Sequence, residues 1–93
     1  MAIKDFRHKG LKKFFNSGGK SGIQPAYTNK IGLILDLLNA ASVPSDVDFP
    51  GSDFHLLKGD RKEFYSVHVN GNRTIIFRFE KGDAYDVDLI DYH

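Results

Sequence analysis

The side chains best suited to acid–base chemistry fall in three short segments of the sequence. The segment Phe54-His-Leu-Leu-Lys-Gly-Asp60 places a histidine and a lysine three residues apart, and the last residues are Asp91-Tyr-His93. Between them lie two arginines, Arg73 and Arg78. Histidine, carboxylate and tyrosine groups transfer protons, and lysine and arginine neutralise negative charge that builds up on a reacting group. The three segments therefore favour a reaction that combines proton transfer with a stabilised anion.

Other kinds of chemistry find less support in the sequence. The chain has no cysteine, which excludes a thiolate zinc site and a cysteine nucleophile. Neither His-x-x-x-His nor paired His/carboxylate spacing occurs, and Asp86 with Asp88 is typical of a solvated strand face. The segment Gly18-Gly-Lys-Ser21 lacks the first glycine of a phosphate-binding loop and an apolar strand before it. The simplest interpretation of His8 and His68 is that they are surface histidines. We therefore expect neither a metal nor a cofactor.

Size and hydropathy indicate one globular domain over residues 1–93. The chain has 93 residues, of which 27% are charged, and independent domains usually have about 100–200 residues. The longest apolar stretch, residues 31–41, is interrupted and shorter than the ~18 residues of a membrane-spanning helix. The N-terminal segment is charged where a signal peptide is apolar. We therefore expect a soluble, cytoplasmic protein without membrane association.

Charge is unevenly distributed along the chain, although the net charge is only +1. Residues 1–20 hold six basic side chains and one carboxylate, whereas residues 36–53 hold four carboxylates and no basic side chain. This polarity is typical of a protein with one surface that faces a polyanion, and a solvated helix with acidic loops is the alternative. The side chains that we expect to face such a polyanion are Lys9, Lys12, Lys13 and Lys20.

Helical patterns come first along the chain. Residues 9–16 place Leu11 and two phenylalanines at helical spacing between lysines, which predicts a short amphipathic helix. Pro25 begins a longer helix, and residues 42–52 form a loop. The apolar residues that repeat along one face of the longer helix are Tyr27, Ile31, Ile34, Leu35 and Leu38. Residues 2–6 suit an edge strand.

From residue 54 onward the period changes to that of strands. Strands are predicted at 54–57, 64–69 and 74–80, with a tight turn at Asn70-Gly71 and another at residues 81–83. In the last strand, strict alternation places Tyr85, Val87 and Leu89 on one face and Asp86 and Asp88 on the other. Two helices followed by an antiparallel meander predict an α+β fold of two layers.

Seven segments, in order and over the whole length, resemble the HigB branch of the RelE-type toxins, the plasmid-maintenance killer proteins. They are Phe6-Arg-His-Lys-Gly-Leu-Lys-Lys-Phe-Phe15, Gly22-Ile-Gln-Pro25, Phe54-His-Leu-Leu-Lys-Gly-Asp60, Ser66-Val-His-Val-Asn-Gly-Asn72, Phe77-Arg-Phe79, Gly82-Asp-Ala-Tyr85 and Asp91-Tyr-His93. The resemblance implies the RelE-like microbial RNase fold. It also implies a toxin that cleaves messenger RNA in the A site of the 70S ribosome. A HigA-like helix-turn-helix antitoxin would silence it, and operator DNA would be bound only through that antitoxin.

The same resemblance implies an active site made of His55, Lys58, Asp91, Tyr92 and His93. Cleavage of RNA by its own 2′-hydroxyl needs a proton acceptor, a neutralised phosphate and a proton donor for the 5′-oxygen, and these side chains supply all three without a metal. We assign His93 as the principal acid or base, Asp91 as its orienting partner or a second proton-transfer group, and Lys58 as the phosphate ligand. Tyr92 stacks on a base or holds the 2′-hydroxyl.

The arginine that binds the phosphate is open between two candidates. The family often has Trp-Arg or Tyr-Arg directly after the hairpin turn, where this sequence has Arg73-Thr74. Strict alternation places Arg73 on the side of Ile75 and Arg78 on the opposite side, and a bulge next to the turn can redirect Arg73. We favour Arg73, with Arg78 as the competitor.

Two other functions suit the same fold, because a fold does not determine an activity. One is a gyrase-type inhibitor that cleaves no RNA, and the other is an inactive module that only binds the antitoxin. A gyrase inhibitor does not need the terminal Asp-Tyr-His, so its presence favours the nuclease.

Overall fold

Two α-helices precede a four-stranded antiparallel sheet in the part of the chain that the structure describes. The structure is a computed structural model and describes residues 3–19, 23, 25–51, 53–57, 63–70 and 73–91. The elements are α1 (Lys9–Ser17), α2 (Thr28–Ala40), β1 (His55–Leu56), β2 (Phe64–Asn70), β3 (Arg73–Glu80) and β4 (Asp83–Asp91), with 3₁₀ turns at Pro25–Tyr27 and Pro44–Val47. The predicted α+β class is confirmed. No helix within these ranges has the length and apolar character that crossing a bilayer requires.

Local signals set both ends of α1. The Nδ1 atom of His8 accepts a hydrogen bond from the backbone N–H of Leu11 at 3.1 Å, so His8 caps the helix rather than being only a surface histidine. At the other end Gly18 has φ +76°, and its N–H donates to the carbonyl oxygen of Phe14 at 2.9 Å. The single fully buried residue of this helix, Leu11, anchors it to the core.

The longer helix begins later than Pro25 because a 3₁₀ turn at Pro25–Tyr27 precedes it. Its predicted apolar face is confirmed for Ile31, Ile34, Leu35 and Leu38, which are all buried, whereas Tyr27 is half-buried in the 3₁₀ turn. Gly32 lies under the ring of Phe14, with ring carbons 3.7 Å from the position that a Cβ would occupy. The two helices therefore pack closely at this point.

The sheet has the order β1-β2-β3-β4, with every pair antiparallel. Its helix face, which packs in the main core with α1 and α2, carries Val67, Val69, Ile75, Phe77, Ala84 and Val87. The opposite face, called the outer face below, carries a row formed by His55, Ser66, Ile76 and Asp88, which pair across the four strands. A smaller apolar cluster of Leu57, Phe64 and Ile76 also lies there.

A bulge in β4 changes which side chains face the helices. Ile76 pairs with Asp88, but Arg78 pairs with Tyr85. On β3 only Phe77 lies between Ile76 and Arg78, so it alone opposes both Asp86 and Val87 of β4. Ala84 and Val87 are both fully buried, and the ring of Tyr85 instead lies under the guanidinium of Arg78, 5.4 Å from it. The expectation that Tyr85 shares a face with Val87 is therefore wrong, because the extra residue shifts the alternation.

The described connection between the last two strands is tight. Asn70 pairs with Arg73 at the end of the β2–β3 ladder, and the turn predicted at Asn70-Gly71 extends outside the described ranges. Between β3 and β4, Lys81 and Gly82 have φ +51° and +84°, which is typical of a type I′ turn. Residues 3–8, called the N-terminal strap below, run beside β4 through parallel bridges from Ile3 to Ala84 and from Phe6 to Val87. The strap occupies the edge-strand position expected for residues 2–6.

Candidate active site

His55 is exposed on the first strand of the sheet and is held from two sides. Its Nδ1 atom lies 2.8 Å from the carbonyl oxygen of Asp53, and its Nε2 atom lies 3.1 Å from the hydroxyl of Ser66. Because a carbonyl oxygen only accepts hydrogen bonds, the first contact requires the proton on Nδ1. The Ser66 hydroxyl lies 3.1 Å from Nε2 and 3.4 Å from Nδ1, so Asp53 and Ser66 both contact the imidazole while it stays open to solvent.

Arg73 and Asp91 are brought directly opposite each other. They are paired residues at the open end of the β3–β4 ladder, where Asn70 pairs with Arg73 from the other side. Opposed residues of an antiparallel pair have Cα atoms about 4.5–5.5 Å apart. Two candidate residues that are far apart in the sequence therefore meet at one end of the sheet.

The register of the sheet does not by itself bring His55 to Asp91. His55 lies in the row that ends at Asp88 on β4, three residues before Asp91 and three strands away. With standard strand geometry this separation is about 10 Å along the strands and about 14 Å across them. The structure therefore brings Arg73 to Asp91 but keeps His55 apart from them on the sheet.

Four candidate residues lie outside the described residues: Lys58, Tyr92, His93 and Lys20. The described residue next to Lys58 is Leu57, whose N–H donates to the carbonyl oxygen of Phe64 at 2.8 Å. The described residue next to Tyr92 is Asp91, at the end of β4. The placement of the four candidate residues stays a prediction.

Arg78 lies on the outer face, as strict alternation predicts, and two carboxylates surround its guanidinium. Its Nε is 2.8 Å from a carboxylate oxygen of Asp86 and its Nη1 is 3.3 Å from one of Glu80. These hydrogen bonds, first that to Asp86, raise the pKa of Arg78 further above its usual value. Glu63 and Glu80 also line a cavity of about 410 Å³ beside it. A phosphate at Arg78 would have to displace these carboxylates.

The lysines of α1 face solvent. Lys9, Lys12 and Lys13 are exposed, while Leu11 between them is buried. The basic residues of the strap are engaged instead, since Lys4 lies 3.9 Å from a carboxylate oxygen of Asp83 and Arg7 lies 3.8 Å from one of Asp86. Among the residues that the structure describes, none forms an ion pair with Lys9 or Lys12. The positive face of the molecule is therefore centred on α1.

Comparison with known proteins identifies the family. The HigB-like toxin family, described as the RelE-like toxin of the type II toxin–antitoxin system HigB, matches residues 4–93. This chain belongs to that family. It is 37% identical over 91 residues to Endoribonuclease HigB of Proteus vulgaris, an alignment that covers 98% of this chain and 99% of that protein. It is 30% identical over 87 residues to Toxin HigB-1 of Vibrio cholerae, covering 91% and 92% of the two chains.

One residue of this HigB-like toxin's site is not evident from its sequence. In the sequence, Ser66 belongs to a hairpin motif with no sign of a role in the site. In the structure, its hydroxyl contacts the imidazole of His55. Strand alternation puts Ser66 on the same face as His68, but it does not say which residue of another strand lies beside it. Only the β1–β2 register, with His55 opposite Ser66, makes that contact.

No three histidine or carboxylate side chains converge as metal ligands within the described parts of the toxin. Asp60 and His93 lie outside those parts.

Proposed function

We propose that this HigB-like toxin is a ribosome-dependent endoribonuclease that cleaves messenger RNA in the A site and so arrests translation. It acts in the cytoplasm as one domain over residues 1–93, without a metal ion, until a HigA-like antitoxin neutralises it. The match over nearly its whole length to a relative named as an endoribonuclease carries the proposal. The proton-transfer groups found in its sequence at residues 55 and 91–93 support it.

The reaction uses the 2′-hydroxyl of the message as the nucleophile. A base takes the 2′-hydroxyl proton as the 2′-oxygen bonds to phosphorus, the bond from phosphorus to the 5′-oxygen breaks, and an acid protonates that oxygen. His93 acts as the acid, and Asp91 or His55 is the base. Lys58 neutralises the phosphate, and Tyr92 stacks on a base of the codon or holds the 2′-hydroxyl.

Arg73 is our candidate for the second phosphate ligand. It lies opposite Asp91, one of the proposed proton-transfer residues, at the end of the sheet where β4 leads to Tyr92 and His93. Arg78 is the weaker candidate because Asp86 and Glu80 already bind its guanidinium. The lysines of α1, followed by Lys20, dock on ribosomal RNA through a summed field that does not read sequence.

The test is a cleavage assay with purified toxin and translating ribosomes, in which the parent protein is compared with His93→Gln. We expect the parent to cut ribosome-bound message and the variant to be slower by about 10²- to 10⁴-fold, the usual contribution of a positioned proton-transfer group. Thermal stability should not change, because a terminal side chain supports little of the core. His93→Gln cutting at the parent rate would move the assignment to His55 with Lys58.

The same assay separates the alternative functions. A parent protein that leaves the message intact but stalls gyrase is a gyrase-type inhibitor, and one that does neither is an antitoxin-binding module. Either result overturns the nuclease proposal.

A further inference from the structure

The bulge in β4 determines which side chains near the end of this strand face the helices. Before the bulge Ala84 faces the helices, and after it Val87 and Leu89 do, so the inward positions change from even to odd numbers. In a strand, a shift of one residue moves every later side chain to the other face. If β4 were regular, each residue from Val87 to Asp91 would exchange faces.

The N-terminal strap holds both residues of this bulge. The backbone N–H of Asp86, which the bulge leaves outside the β3–β4 ladder, donates to the carboxylate of Asp5. The N–H of Val87 donates to the backbone carbonyl oxygen of Asp5 at 3.3 Å. The N–H of Arg7 donates to the carbonyl oxygen of Val87 at 2.8 Å. One residue of the strap therefore satisfies both bulge donors.

The bulge needs this support because its backbone is strained. Asp86 has φ +54°, in the left-handed region that a residue with a Cβ rarely adopts. Its side chain is bound as well, by Arg78 at 2.8 Å on one carboxylate oxygen and by Arg7 at 3.8 Å on the other. Contacts from the strap and from β3 thus converge on one residue of β4.

We infer that Asp5 is a positioning residue for the cleavage reaction, because it holds the bulge that sets the phase of β4 before Asp91, Tyr92 and His93. The inference rests on the proposed function for its link to catalysis. Asp91 follows Asp86 by five residues, about 17 Å of strand, so Asp5 acts through the backbone and not on the reacting atoms.

The first experiment compares Asp5→Ala, Asp5→Asn and Asp83→Asn with the parent in ribosome-dependent cleavage. Asp5→Ala removes the acceptor of the Asp86 N–H, and we expect kcat to fall by roughly 10- to 100-fold, as for a small misplacement of catalytic groups, with KM for ribosomes unchanged. Asp5→Asn keeps an oxygen that can accept the hydrogen bond and should retain the parent kcat. Asp83→Asn is the control, since it removes an equal charge at the start of β4, where the carboxylate lies 3.9 Å from Nζ of Lys4.

A second pair of variants tests the backbone itself. Asp86→Gly suits the positive φ, whereas Asp86→Val strains it further, so only the valine should lose cleavage to the extent that Asp5→Ala does. Equal kcat values for the glycine and valine variants would overturn the inference. So would a drop for Asp5→Ala that appears in KM and not in kcat.

A readout without RNA keeps this inference separate from the proposed function. The amide NMR signals of Tyr92 and His93 should shift in Asp5→Ala and stay at the parent positions in Asp5→Asn and Asp83→Asn. A parent protein that cuts no message overturns the proposed nuclease. Unshifted signals in Asp5→Ala overturn the positioning role of Asp5.

Discussion

At the residue scale, the candidate site depends on a histidine that is exposed and yet oriented. His55 lies on a strand of two residues, too short to fix a side chain through its own ladder. Its ring is instead fixed by the carbonyl oxygen of Asp53 and by Ser66, which is only 1% exposed. A buried hydroxyl on β2 is a more rigid partner than solvent, and the carbonyl oxygen of Asp53 favours the tautomer with the proton on Nδ1.

The first prediction concerns Ser66→Ala. The free energy of unfolding should fall by about 1 kcal/mol, the net value of one hydrogen bond, because the exposed imidazole regains water in its place. Cleavage of ribosome-bound message should fall several-fold, because the ring is then free to rotate. Thermal melts and single-turnover cleavage measure the two effects. Ser17→Ala, which removes a hydroxyl that donates to the carbonyl oxygen of Lys13 at 2.9 Å, is the matched control. Parent-like cleavage by Ser66→Ala would exclude Ser66 from the site.

At the element scale, α1 has two faces with separate tasks. Leu11 buries one face in the core, and the lysines on the other face remain in solvent. Because the charges do not contribute to packing, they can be reversed without unfolding the helix. The face can therefore be tested for RNA binding alone.

The double variant Lys9→Glu, Lys12→Glu should bind ribosomes more weakly. The binding constant should also depend less steeply on salt, because fewer counterions are released from RNA when fewer lysines contact it. Thermal stability should stay close to that of the parent. Lys81→Glu, in the exposed β3–β4 turn, is the control for a charge change elsewhere. Unchanged affinity at low salt would mean that the face is only solvated.

Two glycines in different elements should respond to alanine with opposite signs. Gly32→Ala should stabilise the protein by about 0.5–1 kcal/mol, because alanine is the better helix former, and its Cβ would meet the Phe14 ring at an ordinary 3.7 Å. Gly82→Ala should destabilise it by about 1–2 kcal/mol, since φ is +84° there although the space is open. Denaturant unfolding measures both. Equal effects of the two substitutions on the free energy of unfolding would contradict either the ordinary contact between residue 32 and Phe14 or the type I′ turn at Gly82.

At the scale of the whole molecule, the aromatic residues are mostly used within the fold. Phe6, Phe14, Phe15, Tyr27 and Phe49 are all half-buried against the main core. The large apolar side chains that are about half exposed are Leu33, Val43 and Leu56. Most of the large apolar side chains in the described part of the molecule are therefore taken up by the core and the contacts around it.

Because a toxin must be held inactive by a partner, unmodified protein made alone in bacteria should arrest growth. Co-expression of the antitoxin should restore growth, and His93→Gln made alone should be tolerated. Growth curves with matched expression levels measure this. Normal growth of cells that make the unmodified protein at a high level would count against the toxin activity.

The sequence predicts the helix of residues 9–16, which the structure extends to Ser17, the buried face of α2, the three long strands and the turn at residues 81–83, because period and turn chemistry act between near neighbours. It also indicates the family, since short motifs keep their order along the chain. It does not reveal the side on which Tyr85 lies, the contact between Ser66 and His55, or the hydrogen bond from Arg78 to Asp86. Each of these depends on which strands pair and where a bulge interrupts them. Such contacts join residues distant in sequence, and the local periodicity of one strand does not determine its register against another.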